Sequence, residues 1–361
     1  MKMRKIVCSF MISVVCFMTA ISGVSATSYD TSKINAAYSK VVEYYKNNNN
    51  LNNADKILAV ESLGLEAESN QFDTFSADLS STSLSKKIVT EVLLGVDPTE
   101  DKKTLESQID ENGNVEGSWG ASSDVWTLYA LYVTSSEKTN LIANKLNDEL
   151  AASSVCGYEW GGTYYADYDT TGWVIEGLAV VNKEKYATTI NKAIDYIKNN
   201  TTMTTTGWVT ADNVDTQSQV LEGMFAYDTN ALLNDSYTVH PVDCLLNTQL
   251  SDGSFPSGYN AEYTTAEVAK TLGTYKNGSV IIKAKKAYDK MMNPEQPDNT
   301  KPAQPTDTKK DSQSTNKVET TNQKTTSVKT GDETNVVIFV SLSMVSGGLF
   351  LVLRKEYERV H

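Results

Sequence analysis

Histidine is almost missing from this chain: His240 and His361 are the only two in 361 residues. A zinc centre needs a His, a Cys and a carboxylate to converge. His240 and Cys244 lie four apart, but Pro241 and Asp243 between them read as the first turn of a helix. No metal site is expected. Cysteine is scarce as well, four in all, and Cys8 and Cys16 fall in an apolar N-terminal run. The other two, Cys156 and Cys244, permit one disulfide at most and make no framework. Positive charge is short too: 32 Lys and Arg stand against 45 Asp and Glu, a net charge of −13. That disfavours nucleic acid and anionic membrane surfaces as partners and suits an extracellular protein. No Gly-rich or basic cradle for phosphate is present, and no cofactor is expected.

What is there begins with Met1-Lys-Met-Arg-Lys, an apolar run from Ile6 to Ile21, and the small residues Val24-Ser25-Ala26. Basic, then apolar, then small is the order of a secretory signal peptide, expected over residues 1–26. At the other end, residues 293–327 are Pro, Thr, Lys, Asp, Gln and Ser with almost no aliphatic side chain. Such a segment cannot offset its ordering entropy and is expected to be a disordered spacer. Then come Thr330-Gly331, a mostly apolar run over 336–353, and Arg354-Lys355. Eighteen such residues suffice for one transmembrane helix, with the basic pair fixing its inner end. The tail over 328–361 resembles a Gram-positive sortase sorting signal, and Thr330-Gly331 matches the cleaved pair. Ser327-Val328 stands where that signal usually has Leu-Pro. The resemblance implies sortase and peptidoglycan as partners. A plain membrane anchor is the alternative, and both hold the chain outside the cell at the envelope.

Between these ends the sequence repeats. Aromatics at Trp119, Trp160, Trp208 and Phe255 follow one another at steps of 41, 48 and 47 residues. A period that long marks a repeated supersecondary unit. Behind them, the stretches beginning Asp124-Val-Trp, Asp169-Thr-Thr and Asp215-Thr-Gln align without gaps, and Tyr263 takes the place of Asp in a fourth copy. An Asp at that point is a natural helix N-cap. The functional alternative is a carboxylate cluster at one end of a helical barrel.

Gln249-Leu-Ser-Asp-Gly-Ser-Phe255, with Leu245 four residues ahead, resembles the Gln-to-Trp motif of the prenyltransferase/squalene-cyclase repeat. The resemblance covers roughly Thr82 to Met292. It implies an all-α fold, an α/α toroid of about five or six inner and outer helix pairs filling the domain 27–292. That fold carries terpene cyclases, protein prenyltransferases, cobalamin carriers, complement thioester domains and polysaccharide lyases, so the chemistry must be argued from the site.

Apolar periodicity predicts helices over Ser32–Asn47, Ala54–Leu65, Leu84–Leu94 and Lys102–Ile109, with one more short helix near Phe72–Phe75. Inner helices are expected from Ser123, Thr170, Thr216 and Thr264. Outer helices are expected over Glu137–Ala152, Lys183–Asn199, Pro241–Leu250 and Val280–Met292.

The N-terminal ends of the inner helices are expected to gather at one mouth. Candidate ligand-binding residues there are Trp119, Trp126, Trp160, Tyr165, Asp167, Trp173, Trp208, Asp215 and Phe255, with Tyr164, Tyr259 and Asp124 beside them. Aromatics and acids together suit a neutral or cationic ligand such as a glycan. The bland reading of Trp119, Trp160 and Trp208 is that they pin turns to helices. Asp167-Tyr-Asp169 matches the first two acids of the Asp-x-Asp-Asp motif of squalene-type cyclases, where the middle Asp donates the proton. Thr170 departs from that motif, and Asp169 is the one candidate catalytic residue. With no usable His, Cys or Lys-Arg cluster at the mouth, a surface module binding a glycan, small nutrient or protein is favoured over an enzyme of cyclase or lyase type.

Overall fold

The computed structural model describes residues 29–48, 50–68, 80–202, 204–205, 208, 213–258 and 260–293. The signal peptide, the short helix near Phe72–Phe75, the sorting signal and its apolar span lie outside the described residues, as does the spacer after residue 293.

The described chain is mostly helical. In order come α1 (Ser32–Asn47), α2 (Ala54–Ser62), α3 (Ser81–Leu93), α4 (Thr99–Ser107), α5 (Ala121–Val133) and α6 (Thr139–Ser153). A hairpin follows, β1 (Cys156–Trp160) and β2 (Thr163–Asp167). Then come α7 (Tyr168–Asn200), α8 (Val214–Asn234), α9 (Pro241–Leu246), α10 (Ala261–Asn277) and α11 (Val280–Met292). α7 and α8 each break once, at Asn182 and Asp228, so each is an inner arm and an outer arm. The breaks have a local cause. Asn182 Oδ1 accepts the Lys185 amide and Asp228 Oδ1 accepts the Ala231 amide, so each caps the arm that follows.

The inner helices are apolar nearly all round, which demands burial on every side. α5 buries all its residues but Ser122 and Tyr132. Contacts run α2 to α3, α3 to α5, α5 to α7, α7 to α8, α8 to α10, and α10 back to α2, a closed circuit of six. One joint in it depends on two glycines. A Cβ on Gly223 would lie 2.3 Å from the Gly172 carbonyl oxygen, and one on Gly172 would lie 2.4 Å from that of Gln219. The α7–α8 backbones can meet only because both side chains are absent.

The Gln-to-Phe stretch is a fastener. Gln249 Nε2 donates to the carbonyls of Ala37 on α1 and Gly253, at 3.1 and 3.2 Å. Gly253 turns at φ 94° against the Lys40 carbonyl. Phe255 is fully buried, and its amide donates to Thr265 Oγ1 on α10.

Four expectations need correction. Residues 156–167, expected as a turn between helices of an all-α domain, form an antiparallel hairpin. The inner helices start two or three residues early, at Ala121, Tyr168, Val214 and Ala261. The caps of the last three are accordingly Asp167, Asn213 and Asn260, so Asp169 and Asp215 sit inside the first turn, and Asp124 sits inside α5. α9 stops at Leu246. Finally, α11 is no outer helix: it packs on α2, α3, α5 and α10. It lies over the C-terminal ends of the inner helices, where Lys283 Nζ reaches the Glu61 carbonyl at 2.8 Å. Cys156 and Cys244 are both buried free thiols.

Candidate ligand-binding mouth

The first question is which residues are true equivalents in the repeat. Thr171 and Thr265 occupy the same register in α7 and α10. Thr171 Oγ1 accepts the Cys156 amide at 2.9 Å as Thr265 Oγ1 accepts the Phe255 amide at 3.0 Å. Cys156, not Trp160, is therefore the counterpart of Phe255. In the first copy, the Asp110 amide bonds to the Asn114 carbonyl as the Leu250 amide bonds to that of Ser254. That register makes Val115 the counterpart of Phe255. Val115, Cys156 and Phe255 are all buried. Trp119 and Trp160 each stand four residues further on, beyond what the fold requires.

Both indoles reach solvent. Trp119 is 38% exposed and Trp160 is 36% exposed, with ring centroids 5.1 Å apart and tilted 41°. The Glu159 amide donates to the Trp119 carbonyl at 2.8 Å, which joins the Trp119 loop to the hairpin. Further along, Tyr158 and Tyr165 sit opposite one another across the strands and stack at 5.5 Å. Tyr164, 44% exposed, donates to Glu149 Oε1 at 2.9 Å. The strands then deliver Asp167 to the start of α7, where it accepts the Thr170 amide at 2.7 Å and the Thr170 hydroxyl at 3.0 Å. The Asp167 and Asp169 charges both reach Tyr158 and help raise its hydroxyl pKa, after burial. Trp160, the Tyr158–Tyr165 pair and Asp167 thus follow one another along one face of the hairpin, with Trp119 packed beside Trp160 and Asp169 in the first turn of α7.

Asp169 is half-buried, and its carboxyl is pushed up to about 7 by burial, then by Asp167, with Asp215 and Glu267 adding to it. The Thr216 hydroxyl opposes the rise. Asp167 is also raised by burial, against the Thr170 bonds. Asp215 is buried at the start of α8. The charges felt most strongly at Asp169 are all negative.

Beneath the mouth, the centre of the circuit is filled. Trp126, Tyr129, Gln219, Glu222, Glu267 and Lys270 are all buried. Lys270 Nζ lies 3.0 Å from Glu267 and 3.9 Å from Glu222. Glu176 accepts the Tyr129 hydroxyl at 3.0 Å and the Ser279 hydroxyl at 2.6 Å. Above them Lys86 pairs with Asp55 at 2.8 Å, and both lysines face the Trp126 ring, at 4.4 and 5.4 Å. Burial raises Glu222, Glu267 and Glu176 above the usual carboxylate range, with Lys270 only partly opposing it. Burial would lower Lys270, but Glu267, Glu222 and Asp55 outweigh it and hold the ammonium charged. Glu267 Oε1 and Gln219 Oε1 are buried without a hydrogen bond among the described residues.

The structure therefore divides the candidates. Trp119, Trp160, Tyr165, Asp167 and Asp169 come together along the hairpin. Trp173, half-buried, packs edge-on against Trp126 at 5.8 Å and belongs with the inner column. Trp208 and Phe255 are both fully buried, and Phe255 is a turn anchor, so neither offers a face to solvent at the mouth. Asp124 is buried, bonded to Ser118 at 2.6 Å and paired with Lys145 at 2.9 Å. Tyr259 lies outside the described residues. No family model, no curated protein and no solved structure matches this chain. Its function must be read from these side chains.

The inner column was missed in the sequence, although a signal was present. Glu176, Glu222 and Lys270 each stand seven residues after Asp169, Asp215 and Tyr263. A charge recurring at one register of an otherwise apolar helix marks a shared polar layer.

Proposed function

We propose that this protein is an envelope-anchored, extracellular binding module whose six-helix circuit is an α/α toroid of the prenyltransferase/squalene-cyclase type, and that its ligand is a glycan. The observation that carries the reading is the solvent-facing Trp119–Trp160 pair, placed four residues beyond the positions the fold uses as anchors. Aromatic faces at 36–38% exposure cost burial that a core would have gained. A sugar ring offers such faces its apolar C–H side while its hydroxyls reach toward Asp167, on the same face of the hairpin as Trp160. The signal peptide and sorting tail supply the address, with a sortase and peptidoglycan as partners. The filled interior, with Trp126 and Tyr129 where a cyclase would hold a hydrocarbon, favours surface binding over chemistry inside the circuit.

The test is a glycan array probed with the wild type and with Trp119→Ala and Trp160→Ala. Both variants should lose retention of the glycan hits while melting within a few degrees of wild type, because the rings are exposed. Undiminished retention by both would overturn the reading.

One observation favours a second reading. Asp169, held up to about 7, has the proton affinity of a general acid at neutral pH. In a secreted enzyme of cyclase or lyase type it would be the donor. That reading predicts product formation from a bound glycan, lost in Asp169→Asn with retention on the array intact.

A further inference from the structure

Away from the hairpin, a cavity of about 300 Å³ opens where the end of α1 meets the starts of α2 and α10. That is small for a ligand site, with room for one small molecule rather than a chain. Tyr45 forms part of its wall. It is 4% exposed, and its hydroxyl has no hydrogen-bond partner among the described residues. A buried hydroxyl left so costs stability unless something in the cavity answers it. Burial, then Tyr44 and Glu267, hold that hydroxyl above its ordinary pKa, so it stays protonated and can donate as well as accept.

The other groups at the cavity suit a neutral partner. Lys56, 9% exposed, pairs with Glu262 at 2.7 Å and donates to Asn52 Oδ1 at 3.2 Å, which leaves one of its three N–H bonds to give. The pair cancels its own charge, and an ionic ligand would have to part it. Asn47 and Asn50 are exposed at the rim, and each brings an amide that donates at one end and accepts at the other. The Tyr44 ring, set at 88° to that of Tyr45 with centroids 5.3 Å apart, adds an apolar wall.

From this we infer that the cavity is a second ligand site and takes a single neutral pyranose, its hydroxyls on Tyr45, Asn47, Asn50 and the remaining Lys56 N–H, and its C–H face against Tyr44. A sugar hydroxyl donates and accepts, as do the phenol and the amides, so each group can be answered in either sense. A short zwitterionic peptide is the rival, and it would need Lys56 and Glu262 apart. The site uses no residue of the hairpin and does not depend on the glycan reading above.

The experiment is saturation-transfer NMR on the full-length protein, with methyl α-glucoside, methyl β-galactoside, N-acetylglucosamine and diglycine as probes in turn. At least one of the sugars should give saturable transfer, and diglycine none. Tyr45→Phe deletes only the unanswered hydroxyl and should weaken that sugar about fivefold or more. Asn50→Ala should do the same, and both variants should melt within a few degrees of wild type, because neither side-chain group bonds another part of the described chain. Transfer kept at full strength by both variants would place the sugar elsewhere and overturn the pocket, while leaving the Trp119–Trp160 reading intact. Stronger transfer to diglycine than to any sugar, lost in Tyr45→Phe, would overturn the sugar class. No transfer to any probe would overturn the site, whatever the array shows.

Discussion

Asp167 and Asp169 are two residues apart and do different work. Asp167 caps α7, so Asp167→Ala should cost ~1 kcal/mol, seen as a lower melting temperature. Asp169 carries a native pKa of about 7, above its unfolded value. The folded state therefore holds the extra proton, and stability falls as pH rises from about 4 to about 7. Asp169→Asn removes that dependence. Its melting temperature should gain on wild type at pH 8 and lose the gain at pH 4, and a constant offset across that range would refute the assignment. Lys270 obeys the opposite logic. With its partners buried around it, Lys270→Met should destabilise the fold by about 3–5 kcal/mol at pH 8 and by less at pH 5, where Glu267 and Glu222 take up protons instead. Denaturant midpoints at the two pH values measure it. The sequence made Asp169 visible because a short motif surrounds it. It did not reveal which acid caps, since Asp at the first or third position of a helix start reads alike until backbone angles are known.

At the level of helices, most of the plan was legible. α1, α11 and the inner arms follow from apolar spacing, because a buried helix must repeat its greasy face. The hairpin was not legible. Tyr158, Trp160, Tyr164 and Tyr165 looked like one more aromatic turn, and only the bond from Cys156 to Thr171 shows where the anchor lies and how much chain is left over. An eye following tryptophans aligned Trp160 with Phe255, while the fold aligns a small thiol with it. The α7–α8 joint was equally hidden, because Gly172 and Gly223 declare their purpose only when the helices meet. Gly223→Ala puts a methyl carbon onto the Gly172 carbonyl, and it should cost about 1–3 kcal/mol. Chemical denaturation would show it, and a change under 0.5 kcal/mol would mean the helices slide apart freely.

For the whole molecule, removing residues 336–361 should release the protein from the envelope into the medium, read by blotting cell and culture fractions. A cell-bound truncation would point to another means of attachment. α11 gives the proposed anchored state a mechanical meaning. Under the proposed anchoring the load would enter through the end of α11, the helix that lies across α2, α3, α5 and α10. Tension applied there would arrive first at Tyr288 and Ala284, and only afterwards at Lys283 with Glu61 and Ser279 with Glu176. Such a load peels one helix end-first and spares the α2–α10 closure until the strip is gone. Pulled between Tyr29 and Met292 in an optical trap, the protein should yield one short step of about thirteen residues before the main rupture. A single rupture without it would show that α11 shares its load with the circuit. In the proposed anchored state the helix would be a fuse: under flow, the surface carrying the Trp119–Trp160 pair would stay folded while α11 pays out slack.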